Sequence, residues 1–353
     1  MVKSRGAVLA APGQVVVDEL TIPDPGPGQV VVKHLATGVC LSQVHQVETA
    51  VVDRCPQLLG HEGTGVVTHL GSGVTHVREG DHVIVTWVPR SPHPGRGFVD
   101  GFGPLGAKLG GRLIYGRIGT FCEAMVTHEQ FVVPIAREDA TPESCIIGCA
   151  VLTGAGAVLH TAKVGPEDSV VVVGAGGVGL SAIRMAAILG AHPIIAVDVR
   201  DDKLAFARAW GATHAINSAQ GDPLAAIWDI TRRGADFAFD AVGTRATHEL
   251  ILPAVRGGGP GAHNVGGMAV LIGWPHREMT LNAEHFVYHQ RQYRGSHGAA
   301  LPERDFPMYL RLYREGRFPL GDLVTRTYRL EETARALDDL AHGRIAGRAI
   351  ILF

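Results

Sequence analysis

A glycine-rich turn directly after a run of valines is the feature that most restricts what this chain can fold into. Residues 174–179 read Gly-Ala-Gly-Gly-Val-Gly, follow the valines at 170–173 and open a helical stretch. Alone this spacing is weak evidence, but a preceding strand and a following helix are the context that dinucleotide binding requires. Gly174 permits a tight turn, Gly176 lets the backbone approach a pyrophosphate, and Gly179 lets helix and strand pack closely.

An acidic residue ends the next predicted strand. Asp198 follows the apolar residues 194–197 and lies near the spacing of about 20 residues expected after the last glycine of such a turn. A carboxylate there accepts hydrogen bonds from ribose hydroxyls and repels a 2′-phosphate, which favours NAD over NADP. Arg200 is a nearby cation that can hold a 2′-phosphate, so NADP stays open as an alternative.

Strand-like and helix-like patterns alternate from about residue 141 to residue 273. Apolar runs predict strands at 169–173, 193–197, 235–239 and 268–272, and helical spacing covers 178–189 and 201–210. This alternation predicts a parallel sheet with helices on its faces. The first 140 residues instead carry short valine-rich runs between closely spaced glycines, which predicts a β-rich, barrel-like domain. The predicted fold class is therefore α/β.

Length and composition narrow the class of protein further. A chain of 353 residues predicts two domains, and a net charge of -2 provides no basic field for nucleic acid. No apolar run is long enough to span a bilayer, and the start lacks a signal-peptide pattern. We therefore expect no nucleic-acid or membrane partner and a cytoplasmic location. The 5 cysteines are odd in number and widely spaced, so thiols or metal ligands are expected rather than disulfides.

Two cysteines and a histidine could form a metal site. Cys40 follows a predicted strand, His61 lies in a glycine-rich turn at 59–65, and Cys149 lies near the start of a predicted helix. Two thiolates and an imidazole suit a catalytic zinc, with its fourth position open. Each residue alone is weak evidence, because buried cysteines and single histidines are usually structural.

With these motifs in place, the chain resembles the zinc-dependent medium-chain alcohol dehydrogenases over nearly its whole length. The matching segments are Gly38-Val39-Cys40, Gly60-His61-Glu62-Gly63, Gly80-Asp81-His82-Val83, the region around Cys149, residues 174–179, Asp198 and Gly347-Arg348. The resemblance implies a GroES-like catalytic domain at residues 1–149 and 298–353 and a Rossmann NAD-binding domain at residues 150–297. It implies oxidation of a primary or secondary alcohol to an aldehyde or ketone, or the reverse, with hydride transfer to NAD.

The resemblance also assigns roles to individual residues. Glu62 becomes a carboxylate beside the metal, Ser42 the hydroxyl next to the substrate oxygen, and His45 the far end of a proton relay. Trp87 becomes a wall of the substrate pocket, although simple core packing is the alternative for this residue. The implied zinc ligands are Cys40, His61 and Cys149. The implied cofactor-binding residues are Gly174, Gly176, Gly177, Val178, Gly179, Asp198, Lys203, Thr153 and Arg348.

Three departures from the family pattern affect these expectations. Many relatives carry a four-cysteine loop for a structural zinc, but residues 89–97 contain no cysteine, so we expect one Zn²⁺ per chain. Gln43 stands where many relatives have an Asp that orients the histidine ligand, and an amide orients it less well. Leu41 replaces a basic residue that often faces the pyrophosphate, which would speed NADH release.

Other interpretations remain open at this point. A zinc-free reductase of the same superfamily, acting on a conjugated double bond, would not need the three retained ligands. A non-enzymatic, nucleotide-binding structural protein would not need Ser42 and His45. A bound cofactor recycled by an external acceptor is also compatible with the sequence. We further expect a homodimer or a dimer-based tetramer, because residues 292–296 match an edge strand that relatives pair across a two-fold axis.

Overall fold

The structure is a computed structural model that describes residues 1–90, 103–261, 263–298 and 300–353. It divides into two compact units, which are Met1–Cys149 with Leu301–Phe353, and Ala150–Ala300. The second junction follows Ala300 rather than residue 297. Gly298 belongs to the second unit because it packs without room for a side chain against Thr153, where an added Cβ would lie 2.3 Å from the Cα atom.

The secondary structure of the described residues is as follows. The strands are β1 Val2–Ala11, β2 Gln14–Ile22, β3 Gln29–Val39, β4 Gln57–Leu58, β5 Gly63–Leu70, β6 His82–Val85, β7 Gly103–Leu109, β8 Arg112–Gly116, β9 Ala124–His128, β10 Val132–Ile135, β11 Val170–Val173, β12 Ile194–Asp198, β13 His214–Asn217, β14 Phe237–Asp240, β15 Met268–Leu271, β16 Gln292–Gly295, β17 Val324–Arg329 and β18 Arg348–Leu352. The α-helices are α1 Leu41–Glu48, α2 Ala150–Gly156, α3 Gly177–Ile188, α4 Asp201–Ala209, α5 Pro223–Thr231, α6 Arg245–Ala254, α7 Glu284–Val287, α8 Pro302–Arg314, α9 Leu320–Leu323 and α10 Thr333–Ala341. Among these residues no single helix is long and apolar enough to cross a membrane. One bent pair of helical segments, Pro142–Gly148 and Ala150–Ala162, has the length and composition of a membrane span, on those two criteria only.

The first unit combines a closed barrel with a second sheet. The barrel order is β1-β2-β7-β8-β4, and the second sheet runs β10-β6-β5-β3-β18-β17 with β9 also paired to β3. From Val32 to Ala36 β3 alternates between buried and exposed residues, as expected for a strand with one face on a core. Its other residues, apart from the half-buried Gln29, are all buried. The predicted β-rich, barrel-like first domain is confirmed, and the C-terminal strand β18 pairs with β3 inside it.

The second unit is built on a parallel sheet in the order β13-β12-β11-β14-β15-β16. Its central strand β11 consists only of buried valines, as expected where helices cover both faces of a parallel sheet. The predicted α/β class is confirmed. Helices α5 and α6 lie where the sequence analysis identified no helix, although Asp222 followed by Pro223 is a start signal. The Asp222 side chain accepts a hydrogen bond from the Leu224 N–H at 2.9 Å.

Candidate active site

Cys40 lies at the junction between β3 and α1. Its backbone is extended, at φ -123° and ψ 150°, in the position that precedes the first helical residue. The Cys40 N–H donates a hydrogen bond of 2.9 Å to Oε1 of Gln43, in the first turn of the helix. This bond satisfies one of the N–H groups that a helix start leaves without an internal partner. The half-buried thiol is therefore held on a fixed backbone.

His61 and Glu62 lie in the turn between β4 and β5. The carbonyl of Glu62 accepts hydrogen bonds from the hydroxyls of Thr37 at 2.6 Å and Thr120 at 3.1 Å. Gly60 adopts φ +92°, and a Cβ there would lie 2.4 Å from the Thr120 hydroxyl oxygen. The turn therefore requires glycine at residue 60 and holds the next two side chains in place.

Cys149 lies at a break in the helical region that the sequence predicts around it. The segment from Pro142 to Gly148 is a 3₁₀-helix, and Cys149 leaves the helical region at φ -142° before α2 begins. The Gly148 carbonyl accepts a hydrogen bond from the Thr86 hydroxyl at 2.7 Å. A Cβ on Gly148 would lie 2.4 Å from the carbonyl oxygen of Val85, so this glycine permits the close approach to β6.

These segments bring four candidate ligands together. One ligand atom from each of Cys40, His61, Glu62 and Cys149 lies within 4.8 Å of all the others. Ligand atoms around a tetrahedral zinc lie about 3.3–3.8 Å apart, given bond lengths of about 2.0–2.3 Å, so small side-chain shifts would close this set on one ion. A hydrogen bond from Cys149, together with His61 and the charge of Arg348, holds the pKa of Cys40 well below its usual range despite burial. The two sulfurs, one imidazole and low thiol pKa fit zinc.

A buried ion pair adjoins the cluster. The Arg348 guanidinium donates to the carboxylate of Glu62, and both side chains are buried. Gly38 makes room for this carboxylate, since a Cβ there would lie 2.5 Å from it. The sequence analysis did not anticipate the pair, although a buried Arg at the start of an apolar strand implies a charged partner. Arg348 Nε is buried and has no hydrogen-bond partner among the described residues.

The predicted relay and pocket residues lie in the same unit. The side-chain nitrogen of Gln43 lies 3.3 Å from the Ser42 hydroxyl and 2.5 Å from Nδ1 of His61. His45 lies in α1 with its side chain 32% exposed, and its Nδ1 is 3.5 Å from a Glu48 carboxylate oxygen. Trp87 is half-buried and packs against a cluster of buried aliphatic side chains. Core packing therefore holds for Trp87, and its role in a substrate pocket stays a prediction.

The glycine-rich turn of the second unit has the geometry that its spacing predicts. Gly174 adopts φ +94°, and a Cβ on Gly179 would lie 1.8 Å from the Gly174 carbonyl oxygen. A Cβ on Gly176 would meet no atom within 4 Å, so the backbone there is open to a ligand. No side chain caps the start of α3, which leaves its first N–H groups for an anion such as a pyrophosphate.

Asp198 lies directly beside this turn. One carboxylate oxygen accepts a hydrogen bond of 2.8 Å from the Ala175 N–H, and the other accepts one of 3.1 Å from the Arg200 N–H. The Arg200 guanidinium makes two hydrogen bonds, of 2.9 and 2.6 Å, to Asp202. The remaining predicted cofactor residues of this unit are Gly177, the buried first residue of α3, Thr153, buried in α2, and the half-buried Val178 and Lys203 in α3 and α4.

Comparisons with known proteins agree with this arrangement. Residues 26–137 match the family model described as alcohol dehydrogenase GroES-like domain, and residues 177–315 match the model described as zinc-binding dehydrogenase. Alcohol dehydrogenase 6 of Peromyscus maniculatus is 30% identical over 98% of this chain and 96% of its own length. The chain belongs to the zinc-type medium-chain alcohol dehydrogenase family.

Further family members show the same relationship. The NDMA-dependent alcohol dehydrogenase of Amycolatopsis methanolica is 32% identical, covering 97% of both chains. The crystal structure of benzyl alcohol dehydrogenase from Acinetobacter calcoaceticus matches with a TM-score of 0.88 at 29% identity, covering 100% of both chains. The predicted family, fold and alcohol dehydrogenase activity are therefore confirmed. The enzyme is an oxidoreductase that acts on small-molecule alcohols, and the family uses zinc and NAD-type cofactors.

Proposed function

We propose that this alcohol dehydrogenase uses a single catalytic zinc held by Cys40, His61 and Cys149, and prefers NAD to NADP. The observation that carries the proposal is the convergence of these three ligand atoms, with one from Glu62, within 4.8 Å of one another. The low pKa of the Cys40 thiol supports it, because zinc binds the thiolate form of cysteine.

The chain's own groups account for the proton transfers. Zinc, when bound, supplies a Lewis acid that makes an alcohol hydroxyl more acidic near neutral pH. The Ser42 hydroxyl accepts the substrate proton and passes it toward His45. The partly exposed imidazole of His45 suits the last step of the relay, because imidazole exchanges protons with water near neutral pH.

The glycine-rich turn and Asp198 hold the hydride acceptor in this proposal. The open backbone at Gly176 and the uncapped start of α3 would take the pyrophosphate, and Asp198 would take the ribose hydroxyls next to it. Arg200 is already engaged by Asp202 through two hydrogen bonds. A 2′-phosphate would therefore meet the carboxylate of Asp198 without a released guanidinium, which favours NAD.

We expect about one zinc per chain by elemental analysis of the purified enzyme. Cys149→Ser should lose the metal together with NAD-dependent oxidation of a panel of primary and secondary alcohols. Cys145→Ser is the matched control, because Cys145 is a buried cysteine of the 3₁₀-helix that directly precedes Cys149 and lies outside the ligand cluster. This variant should retain the zinc. About two zincs per chain would reveal a structural metal. A zinc-free wild type would instead favour the reductase alternative.

We also propose that two copies of the chain associate through β16. This strand ends the sheet of the second unit, pairs with β15 and has no partner on its other side among the described residues. Val287 and Tyr288, shortly before it, are 70% and 71% exposed. An exposed sheet edge beside apolar side chains favours pairing with a second copy. Light scattering at micromolar concentration should give a dimer or a multiple of a dimer, and a monomer would contradict this assignment.

A further inference from the structure

A buried carboxylate and a buried histidine form a pair that the proposed reaction does not use. Asp240 is the last residue of β14, and His248 lies in α6. Their side chains are 0% and 1% exposed, and His248 Nδ1 lies 2.6 Å from Oδ2 of Asp240. Burying two such groups is unfavourable unless every polar atom finds a partner. The partners of this pair therefore indicate what it stabilises.

Each polar atom of the pair bonds to one of two loops or to its partner. Oδ1 of Asp240 accepts hydrogen bonds from the N–H groups of Val242 at 2.8 Å and Gly243 at 3.0 Å. Nε2 of His248 accepts one of 3.1 Å from the His276 N–H, which also donates to the Gly243 carbonyl at 2.8 Å. His248 must therefore carry its proton on Nδ1, because its other nitrogen faces a donor.

The pair thus joins the loop after β14 to the loop after β15. The two loops touch through their backbones, since a Cβ on Gly243 would lie 1.9 Å from the Trp274 carbonyl oxygen. A Cβ on Gly273 would likewise lie 2.8 Å from the Gly243 nitrogen. A packed backbone contact of this kind allows little adjustment, so its position depends on the groups that anchor it.

These loops lie at the edge of the sheet where dinucleotides bind. The chain order of the parallel strands reverses between β11 and β14, and ligands bind outside the carboxyl ends of the strands at such a reversal. Val242 adjoins the glycine-rich turn. A Cβ added to Gly174 would lie 2.6 Å from the Cγ2 atom of Val242. Asp198 assigns the β11–β13 half of the sheet to the adenosine ribose, so the β14–β16 half is left for the nicotinamide mononucleotide.

We infer that Asp240 and His248 are positioning residues that fix the loops after β14 and β15 in the shape required by the nicotinamide half of the cofactor. This inference rests on the proposed dinucleotide site of the second unit. Neither side chain touches the cofactor in this role, because both are buried beneath the loops that they hold. Loss of the pair should weaken binding of the whole dinucleotide more than binding of its adenosine half.

His248→Asn tests this directly. The Asn amide can still donate to Asp240 from near the place of Nδ1, but it is too short to accept the His276 N–H. Fluorescence titration should show NADH affinity falling about tenfold, while AMP, which fills only the adenosine half, keeps its affinity within about twofold. Asp240→Asn is a second variant, in which the new side chain has nearly the same size as the native one. Its amide donates to Nδ1, which moves the imidazole proton to Nε2, opposite the His276 N–H, and the same selective loss should follow.

Ile251→Val is the matched control, because Ile251 is buried in α6 without a polar contact. It should lower the melting temperature but leave the ratio of NADH to AMP affinity at the wild-type value. Equal losses for both ligands in the His248 and Asp240 variants would reduce the pair to a structural role and overturn the inference. Unchanged affinities for both NADH and AMP in folded variants would overturn it as well. A wild type that binds neither ligand would instead overturn the proposed dinucleotide site.

Discussion

Replacing Gln43 with Glu should raise the affinity of the enzyme for zinc by about tenfold or more. The amide oxygen of Gln43 accepts the Cys40 N–H at 2.9 Å, and its nitrogen lies 2.5 Å from Nδ1 of His61. His61 is therefore left with Nε2 for the metal, and an imidazole that binds a metal through Nε2 carries its proton on Nδ1. Two N–H donors then face a side chain with a single acceptor atom.

A carboxylate at residue 43 removes this conflict, because it accepts both hydrogen bonds at once. With glutamine, zinc binding requires the amide to turn over and leave the Cys40 N–H without its acceptor. A buried donor without a partner costs about 1–3 kcal/mol, and 1.4 kcal/mol corresponds to about tenfold in affinity. Zinc affinity is measured on metal-free protein by competition with a chelator, which does not depend on turnover.

The added negative charge needs its own control. Leu41→Glu places a carboxylate on the residue next to Cys40, where the native side chain is exposed, without providing an acceptor for His61. This control should change zinc affinity by less than about threefold, because an exposed charge is screened by water and salt. Equal affinities for Gln43→Glu and wild type would show that His61 needs no acceptor at this position.

Asp198→Gly should lower kcat/KM with NAD by about tenfold or more and reduce the preference for NAD over NADP. Charge-assisted hydrogen bonds to ribose hydroxyls contribute about 1.5–3 kcal/mol each, and the carboxylate also repels a 2′-phosphate. Its removal deletes both effects and frees the Ala175 N–H, which Asp198 now engages at 2.8 Å. The measurement is kcat/KM with each cofactor for wild type and variant.

The ion pair of Arg200 with Asp202 provides a second step in the same experiment. In the single variant Arg200 remains held by two hydrogen bonds, so the gain with NADP should be small. Asp198→Gly with Asp202→Ala removes the two hydrogen bonds that Asp202 accepts from the Arg200 guanidinium and should lower the NAD/NADP ratio further. Asp202→Ala alone should keep the preference for NAD. A wild type that prefers NADP, or a ratio that does not fall in the single variant, would contradict the role of Asp198.

Local sequence patterns predicted the elements of the nucleotide unit well. Apolar runs at 169–173 and 268–272 became β11 and β15, and the helical spacing at 201–210 became α4. These elements were predictable because burial on both faces of a parallel sheet leaves a continuous apolar run of strand length. The helix predicted near Cys149 differs from the structure. It is broken at Cys149, where the backbone follows contacts of Gly148 with β6 rather than local propensity.

Part of the candidate site was likewise predictable from the sequence, and part of it was not. Its individual residues were predicted from short motifs and family resemblance, because a metal ligand or a glycine turn depends on residue type and nearby spacing. The hydrogen-bond conflict at Gln43 was only partly anticipated, as a weaker orienter of the ligand histidine. The cause of the conflict became clear only in the structure. There, the oxygen of the Gln43 amide contacts the Cys40 N–H and its nitrogen contacts Nδ1 of His61.

The sequence by itself determined the fold class, the family, the glycine-rich turn with Asp198 and the cysteines and histidine of the cluster. Only the tertiary structure decided which charged groups meet in the interior. Glu62 and Arg348 form a buried ion pair across 286 positions of sequence, and Asp240 and His248 join two separate loops. No local pattern specifies such partners, because they are set by how distant strands and loops pack, and a buried charge is stable only where that packing brings its partner.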